Sequence, residues 1–310
     1  MTHTPVLVHA VLKLFDPRPG SRLLDATLGT GGHTRAFLAA APQSEIVALD
    51  ADHAALEQAR QELEPSAGRV TYIHANFAHL KDSVIGGGIL PPLFTHILFD
   101  LGLGSHQLAD SERGYSFHTS GPLRMRYGLP ALVPAQLPLL NWLERRLGHQ
   151  PEVADLIARL TAEQLTELIR HYGEERYARS IAQAIKQPPP LRDAAALAER
   201  IVLSVPPRAR HTRLHPATRT FLALRLAVNR ELEALQCALP QAVSLLEPQG
   251  KVAVISFHSL EDRLVKHYFR QAQVAGLVTI LTKKPLRPAR REVTANPRAR
   301  SAKLRAAVKT

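Results

Sequence analysis

The segment of residues 23–33, LLDATLGTGGH, constrains the fold of this chain more than any other. Its apolar start predicts a buried strand that ends on Asp25, and the GTGG run predicts a tight turn before a helix over residues 34–40. A strand, a glycine turn and a helix in this order are typical of the opening of a nucleotide-binding α/β domain. Glycines let a ligand approach the backbone, and the start of the helix offers N–H donors.

The spacing of the glycines restricts which ligand this turn can hold. A dinucleotide fingerprint needs a third glycine at position 34, where this chain has Thr34. The pattern therefore disfavours a nicotinamide-dependent oxidoreductase. Gly31, Gly32 and His33 resemble instead the glycine turn of S-adenosylmethionine (SAM) methyltransferases, although a glycine-rich turn alone is common in α/β proteins.

Three further apolar segments predict strands that end in polar residues: EIVALD at 45–50, VTYIH at 70–74 and HILFD at 96–100. A carboxylate at Asp50 suits the two hydroxyls of a ribose. Its alternative role is an N-cap for the following helix, which Asp52 fits better. Phe77, after the third strand, could flank an adenine or pack in the core. We expect these strand ends, including Asp100, to line one crevice, as in open α/β sheets.

The length and amino-acid composition of the chain limit the classes of protein to which it can belong. The chain has 310 residues, enough for one large or two modest domains, and it contains one cysteine, Cys237, which excludes a disulfide framework. The helical, apolar context of Cys237 predicts an inert, packed thiol. No histidine spacing indicates a metal site, so none is expected. No apolar run is long enough for a transmembrane helix and no signal peptide is evident, so we expect a cytoplasmic location and no membrane partner.

A formal net charge of +12 favours a polyanionic partner. Residues 283–310 hold ten Lys or Arg and a single acid, Glu292. This stretch predicts a basic tail that contacts RNA; the alternative is a solvated, flexible tail. No amphipathic helix accompanies the charge, which disfavours a membrane surface.

The pattern of elements changes along the chain. Strand and helix alternate over residues 1–108, a Gly- and Pro-punctuated structured loop follows over 110–138, and residues 139–203 are helical, with Thr161 as a helix N-cap. A long helix is predicted from about 217 to 246, broken or ended near Pro240, before a strand over 250–257. The sheet therefore resumes after a helical insertion.

Six segments, in this order and spacing, closely resemble one family. They are GTGGH at 29–33, DLGLGSHQL at 100–108, ERGYSF at 112–117, HPATRTF at 215–221, SFHSLEDR at 256–263 and NPRARS at 296–301. The family is RsmH (MraW), the 16S ribosomal RNA cytidine N4-methyltransferases, and the similarity runs from about residue 3 to about residue 305.

The resemblance implies a class I SAM-dependent methyltransferase fold, an α/β Rossmann-like sheet with a helical insertion. It implies a discontinuous SAM-binding domain over 1–108 and 212–310, and a substrate-recognition insertion over 109–211. It also implies methylation of a cytidine near the P site of 16S ribosomal RNA or the small ribosomal subunit, by a monomer or homodimer. The residues it assigns to SAM are Gly31, Gly32, His33, Asp50, Phe77, Asp100 and Gln107.

Three positions depart from the family pattern. Gly104 and His106 stand where the family usually has Ser and Pro, and Arg124 replaces an acid in the GPLRMR segment at 121–126. Because a cation here reverses the local charge, a loop facing substrate could lose or change its target. The alternative function is therefore a SAM-binding, ribosome-associated RNA-binding protein whose methylation target has changed or been lost.

The sequence offers Asp100, or the carbonyl beside it, as the acceptor for the N4 amine of the cytidine. His258 is a possible assistant, although loop anchoring suits it better. A DNA amino-methyltransferase is disfavoured, because the Pro-Pro motif of such enzymes is absent after Asp100.

An extruded base could stack on Tyr115, Phe117, Phe257 or Arg126, or these residues could pack in the protein. Candidate RNA contacts are Arg124, Arg126, Arg219, His258, Arg298 and Arg300.

Overall fold

A computed structural model describes residues 5–88, 94–104, 107–108, 110–117, 120–210 and 214–310. The strands are β1 Arg22–Asp25, β2 Glu45–Asp50, β3 Val70–His74, β4 Phe94–Asp100, β5 Leu246–Ser256, β6 Val278–Ile280 and β7 Lys303–Lys309. The helices are α1 Val8–Phe15, α2 Gly32–Ala40, α3 His53–Glu62, α4 Leu80–Gly86, α5 Pro138–Leu147, α6 Val153–Arg159, α7 Ala162–Gly173, α8 Ala178–Ile185, α9 Ala194–Ser204, α10 Pro207–Arg210, α11 Thr218–Asn229, α12 Glu231–Leu245, α13 Ser259–Val274 and α14 Arg290–Ala295. Short 3-10 helices cover Glu64–Arg69, Phe77–His79, Ser111–Arg113 and Pro297–Ser301.

The seven strands form one sheet in the order β3-β2-β1-β4-β5-β7-β6. The first five strands in this order are parallel, and β7 runs antiparallel to both β5 and β6. The order reverses at β1, whose neighbours are β2 and β4. Ligands bind at such a switch point in open α/β sheets, at the carboxyl ends of the strands.

The chain divides into two compact units. The sheet unit comprises Met1–Gly102 and Ala234–Thr310, and the helical unit comprises Leu103–Glu233. The boundaries therefore differ from the predicted ones after residues 108 and 211, because α11 belongs to the helical unit.

Buried residues that alternate along the strands form two apolar layers in the sheet unit. On one side, Leu24, Val47 and Phe99 pack with residues of α4, α12 and α13. On the other, Leu23 and Ile46 pack with residues of α1, α2 and α3. Successive strand side chains point to opposite faces, so both faces of this sheet are buried. Rigid packing on both faces fixes the positions of the strand ends.

The helical unit has its own buried residues, among them Leu156, Leu168, Ile181 and Leu197 on four different helices. Thr161 caps α7 as predicted: its hydroxyl accepts from the N–H of Gln164, whose side chain accepts in return. The structured loop expected before α5 is held by backbone hydrogen bonds, including Met125 N–H to the carbonyl of Arg113.

The prediction of one long helix over 217–246 that breaks near Pro240 is wrong in the position of the break. Pro240 lies inside α12, and the chain breaks at Arg230, which has the left-handed φ of +51°. The buried guanidinium of Arg230 donates to the Val133 carbonyl and to Glu144. These tertiary contacts fix Arg230 in a conformation that ends α11. The predicted strand over 250–257 is β5, which begins four residues earlier.

The basic residues 283–310 do not form a flexible tail. They include α14, and they end in β7, which lies inside the sheet between β5 and β6. Leu304 and Ala306 are buried, and the Glu292 carboxylate accepts from the N–H of Leu7 at 2.6 Å. The high charge of this stretch concealed a strand whose apolar residues complete the core.

Candidate cofactor-binding and catalytic site

The glycine turn joins β1 to α2 at the switch point of the sheet. Gly29 and Gly31 have left-handed φ values of +53° and +77°, and Gly31 is the residue before the first helical residue, Gly32. A Cβ on Gly31 would lie 2.8 Å from the Cδ1 of Leu63, whereas a Cβ on Gly29 would meet nothing within 4 Å. The turn therefore needs glycine at position 31, and it leaves space beside Gly29.

Asp50, at the end of β2, holds this turn. Its Oδ2 accepts from the N–H of Gly29 at 2.8 Å, and its Oδ1 accepts from the N–H of Asp52 at 2.8 Å. Asp52 is the N-cap of α3, as the sequence favoured, with its side chain accepting from the Ala54 N–H. Each carboxylate oxygen has two lone pairs. Asp50 can therefore still accept from ribose hydroxyls while it holds the turn.

A chain of hydrogen bonds joins the ends of β1 and β4. The hydroxyl of Thr34 donates to Oδ2 of buried Asp25 at 2.8 Å, and the N–H of Thr27 approaches Oδ1 at 3.3 Å. The Thr27 hydroxyl oxygen in turn accepts from the N–H of Asp100 at 2.6 Å. Asp25, Thr27 and Thr34 therefore position the glycine turn against Asp100. These three residues were not predicted as site residues from the sequence, although an acid at the strand end and the threonines around the glycines were visible signals.

His33 lies in the first turn of α2 beside Asp100. Its Nε2 is 3.4 Å from the Oδ2 of Asp100, close enough for an ion pair but without hydrogen-bond alignment. Burial lowers the pKa of His33, but Asp100 and Asp25 raise it by more, so its pKa is above the ordinary value. Within the described part of the chain, neither ring nitrogen of His33 and not the Oδ1 of Asp100 has a hydrogen-bond partner. Buried polar atoms are normally hydrogen-bonded, and a bound ligand can supply the partners that these atoms lack.

Burial raises the pKa of Asp25 to about 6, against the opposing effects of Thr34, His33 and the Thr27 N–H. The charge of Asp100 raises this pKa further. Three titratable groups thus lie together at the carboxyl end of the sheet: Asp25 and His33, which are buried, and Asp100, which is half-buried. Such clusters are common at functional sites.

Phe77 follows β3 and is half-buried. Its ring packs against Phe99 edge to face, with the ring centres 5.8 Å apart. Its position is therefore compatible with both predicted roles, because the ring packs against Phe99 while the residue is only half-buried. Asn76 fixes the start of this turn by accepting from the Ala78 N–H at 3.0 Å.

Gln107 belongs to the helical unit and is buried. Its Oε1 accepts at 2.9 Å from the backbone N–H of Gly104, which is one of the departures from the family pattern. His106, another departure, lies outside the described residues.

The candidate RNA residues are divided between the two units. Arg124 and Arg219 are exposed in the helical unit, where the guanidinium of Arg219 donates to the Glu174 carbonyl at 3.4 Å. Arg126 is half-buried in the same unit, and its guanidinium lies 3.5 Å from the Gln150 carbonyl. Arg298 and Arg300 are exposed in the sheet unit.

His258 anchors a helix. It is the N-cap of α13, its Nδ1 accepts from the N–H of Glu261, and its Nε2 lies 3.0 Å from the Glu261 carboxylate. Of the aromatic candidates for base stacking, Phe117 stacks on His215 with ring centres 4.4 Å apart, and Tyr115 is buried. Phe257 is half-buried in the sheet unit. For His258 and Phe117, the observed contacts are those of anchoring and packing.

Cys237 is exposed, so the prediction of a packed thiol is wrong. It lies on α12, and that position of the helix faces outward. Across the described ranges, no three His, Cys, Asp or Glu side chains are grouped as metal ligands. No helix among the described residues is both long and apolar enough to cross a membrane.

Comparison with known proteins decides the family. The model of the MraW methylase family matches residues 1–310. The chain belongs to the MraW methylase family. It is 44% identical to a protein of Thermomicrobium roseum over 99% of this chain and 93% of the relative. It is 45% identical to one of Synechococcus sp. strain JA-2-3B'a(2-13), over 99% and 92%. Both relatives are named Ribosomal RNA small subunit methyltransferase H.

The sheet is therefore that of a class I SAM-dependent methyltransferase, as the sequence predicted, and the cofactor of this MraW methylase is SAM. The residues present fit SAM. Space beside Gly29, the acceptor capacity of Asp50 and the unpartnered buried atoms of His33 and Asp100 all belong to one end of one sheet. Residues that would hold SAM here are Gly31, Gly32, His33, Asp50, Phe77 and Asp100.

Proposed function

We propose that this methyltransferase transfers a methyl group from SAM to N4 of a cytidine near the P site, in 16S ribosomal RNA of the small subunit. The observation that carries the proposal is the similarity of 44–45% over nearly the whole chain to proteins named for small-subunit ribosomal RNA methylation. The amine specificity is supported by the acidic cluster at the carboxyl end of the sheet.

The chemistry of the amine defines what the protein must supply. The lone pair of N4 is delocalised into the pyrimidine ring, so N4 is a weak nucleophile. Bound SAM supplies an electrophilic methyl group on its sulfonium. A bond forms between N4 and the methyl carbon, the bond between sulfur and that carbon breaks, and N4 gives up one proton.

Asp100 is the proposed acceptor of that proton. Its Oδ1 is buried and has no partner among the described residues, and its N–H is fixed by the Thr27 hydroxyl. A fixed acceptor orients N4–H and stabilises the positive charge that develops on the amine. The imidazole of His33 lies beside the other carboxylate oxygen, with its Nε2 3.4 Å from the Oδ2 of Asp100, and helps to fix the position of the carboxylate.

RNA recognition is proposed to involve cationic side chains of both units: Arg124, Arg126, Arg219, Arg298 and Arg300. These suit phosphate contacts, which position the RNA without reading its sequence. We assign to His258 the role of fixing the start of α13, next to the end of strand β5. The target base must be unpaired or turned out of its helix, because its amine is otherwise paired. We place the reaction in the cytoplasm and assign a monomer or homodimer.

An RNA-binding protein with an altered or lost target is the second candidate, and Arg124 favours it. Its exposed side chain carries a positive charge where the family usually has an acid. Incubation with tritiated SAM and small subunits that lack the modification separates the two functions. Transfer of label supports the methyltransferase, whereas tight RNA binding without transfer supports the alternative. Restoring the acid by Arg124→Asp then tests whether this position is responsible.

A further inference from the structure

The sheet unit contains a cavity that shares no lining residue with the glycine turn. It has a volume of about 330 Å³, within the range of ligand sites. Four cationic side chains line it: Lys266, Arg270, Lys283 and Arg305. We call these four residues and the cavity they line the basic pocket.

The basic pocket is built on fixed elements. Lys266 and Arg270 are one helical turn apart on α13, so they lie on the same face of that helix. The side chain of Gln273 accepts from the N–H of Ile280 at 3.0 Å and ties α13 to β6. Arg305 lies on β7. The apolar part of the lining is Phe269 and Ile280.

Three of the four charges in the basic pocket have no acidic partner among the described residues, and the fourth, Arg305, shares its partner. Asp262 accepts from Arg305 at 2.7 Å and from Lys303 at 3.2 Å, and it is therefore already shared by two cations. In the part of the chain that the structure describes, the side chains of Lys266, Arg270 and Lys283 make no hydrogen bond or ion pair. No acidic residue lines the cavity. A cleft lined by one sign of charge concentrates ions of the opposite sign.

We propose that the basic pocket binds phosphodiester groups of an RNA backbone. Base recognition is disfavoured, because the aromatic ring in its lining, Phe269, is only 2% exposed and offers no stacking surface. Cations without a stacking platform are suited to phosphates. The inference rests on the proposed function, because it gives the RNA substrate of the methyltransferase a second point of attachment beyond the candidate arginines.

The residues that follow Lys283 in the sequence favour a polyanion over a single free anion as the ligand of the basic pocket. Lys283 begins a run in which Lys284, Arg287, Arg290 and Arg291 are also exposed. The single acid of this run, Glu292, is engaged by the N–H of Leu7. A cationic surface therefore continues from the pocket along the chain, as a backbone with repeated charges requires.

Fluorescence anisotropy with a labelled single-stranded RNA, at several salt concentrations, tests this proposal. The test variant is Lys266→Gln/Lys283→Gln in the full chain. The matched control is Lys13→Gln/Lys81→Gln, which removes the same charge from two exposed positions of the sheet unit outside the pocket. If each pocket lysine neutralises one phosphate, the slope of log K against log salt falls by about 1.4 in the test variant. Affinity at 0.1 M salt then falls about 25-fold.

The control variant is expected to change affinity and slope much less. Equal effects of the two double variants, or no effect of the pocket variant, would overturn the proposal. So would a pocket variant that loses binding of ATP or inorganic phosphate while it keeps its RNA affinity. Calorimetry with SAM should give the wild-type affinity for both variants. A failure of the proposed function is distinguishable, because wild type would then transfer no label to small subunits, whatever its RNA affinity.

Discussion

Asp25 is a buried acid whose ionisation changes the stability of the fold. Burial raises its pKa from 3.8 to about 6, so the folded state holds the Asp25 proton more tightly than the unfolded chain does. Stability due to Asp25 therefore falls as pH rises from about 4 to 6, by up to about 3 kcal/mol. The fold tolerates this cost because the carboxylate holds Thr34 and the glycine turn.

We expect Asp25→Asn to become progressively more stable than wild type as pH rises. Asparagine removes the buried charge and keeps one acceptor oxygen for Thr34. The difference in unfolding free energy should be near zero at pH 4 and about 1–3 kcal/mol at pH 7, measured by urea denaturation. Asp82→Asn, an exposed site on α4, is the control. A difference that does not vary with pH would refute this account of Asp25.

His96 must be separated from this effect. Burial lowers the pKa of His96 to about 4, so its contribution to stability is lost as pH falls from 6.5 toward 4. This is the opposite sense to Asp25. Because His96 is present in both proteins, its contribution cancels in the difference between variant and wild type.

Asp50 should contribute directly to cofactor affinity. Its carboxylate holds the Gly29 N–H and retains lone pairs for ribose hydroxyls. We expect Asp50→Ala to weaken SAM binding by about 1.5–3 kcal/mol, which is roughly a 10- to 150-fold higher Kd. Titration calorimetry measures it, with Glu57→Gln on the exposed face of α3 as the control. A Kd within twofold of wild type would remove Asp50 from the binding site.

At the scale of elements, the turn between β1 and α2 carries the tightest steric requirement of the site. Gly31 and Gly20 have similar φ values, +77° and +80°, but a Cβ would meet buried Leu63 only at Gly31. Both Gly→Ala variants therefore carry the same left-handed strain of about 1–2 kcal/mol. Only one of them also forces a buried side chain to move.

We expect Gly31→Ala to lower the free energy of unfolding by about 2–4 kcal/mol, and Gly20→Ala by about 1–2 kcal/mol. SAM affinity should fall in the first variant alone, because the turn and its N–H groups shift. Urea denaturation and calorimetry on both variants provide the comparison. Equal losses in the two proteins would show that contact with Leu63 does not matter.

The sequence alone predicted those elements that depend on residues close together in the chain. The strand predicted over residues 70–74 is β3, and the cap at Thr161 is confirmed, because a hydrophobic run and a capping pair depend on near neighbours. The break at Arg230 and the strand β7 were not predicted. Arg230 is held by Glu144, and Arg305 is buried in β7 because Asp262 pairs with it. Such partners are distant in sequence and leave no periodic signal.

The same distinction between local signals and contacts distant in sequence applies to the candidate site. Gly31, Asp50 and Asp100 could be predicted as site residues because strand ends and glycine turns are visible in the sequence. Thr27 and Thr34 act through hydrogen bonds to Asp100 and Asp25, and their role depends on the three-dimensional approach of β1, β4 and α2. The basic pocket was hidden for the same reason, since it joins α13 to residues that follow β6.

At the scale of the whole molecule, a net charge of +12 is distributed over two units with different contents. The sheet unit contains the glycine turn, the Asp25–His33–Asp100 cluster and the basic pocket. The helical unit contains Gln107 and three of the candidate arginines. We propose that the sheet unit carries the chemistry and that both units attach RNA, so we expect RNA binding and methyl transfer to be separable by mutation.

The most direct test of the central claim is nucleoside mass spectrometry of 16S ribosomal RNA after reaction of unmodified small subunits with SAM and this protein. The account predicts N4-methylcytidine, with about one methyl group per subunit, near the P site. Asp100→Asn should slow a single turnover by about a hundredfold or more. A methyl group on another atom, or a wild-type rate in Asp100→Asn, would contradict the account.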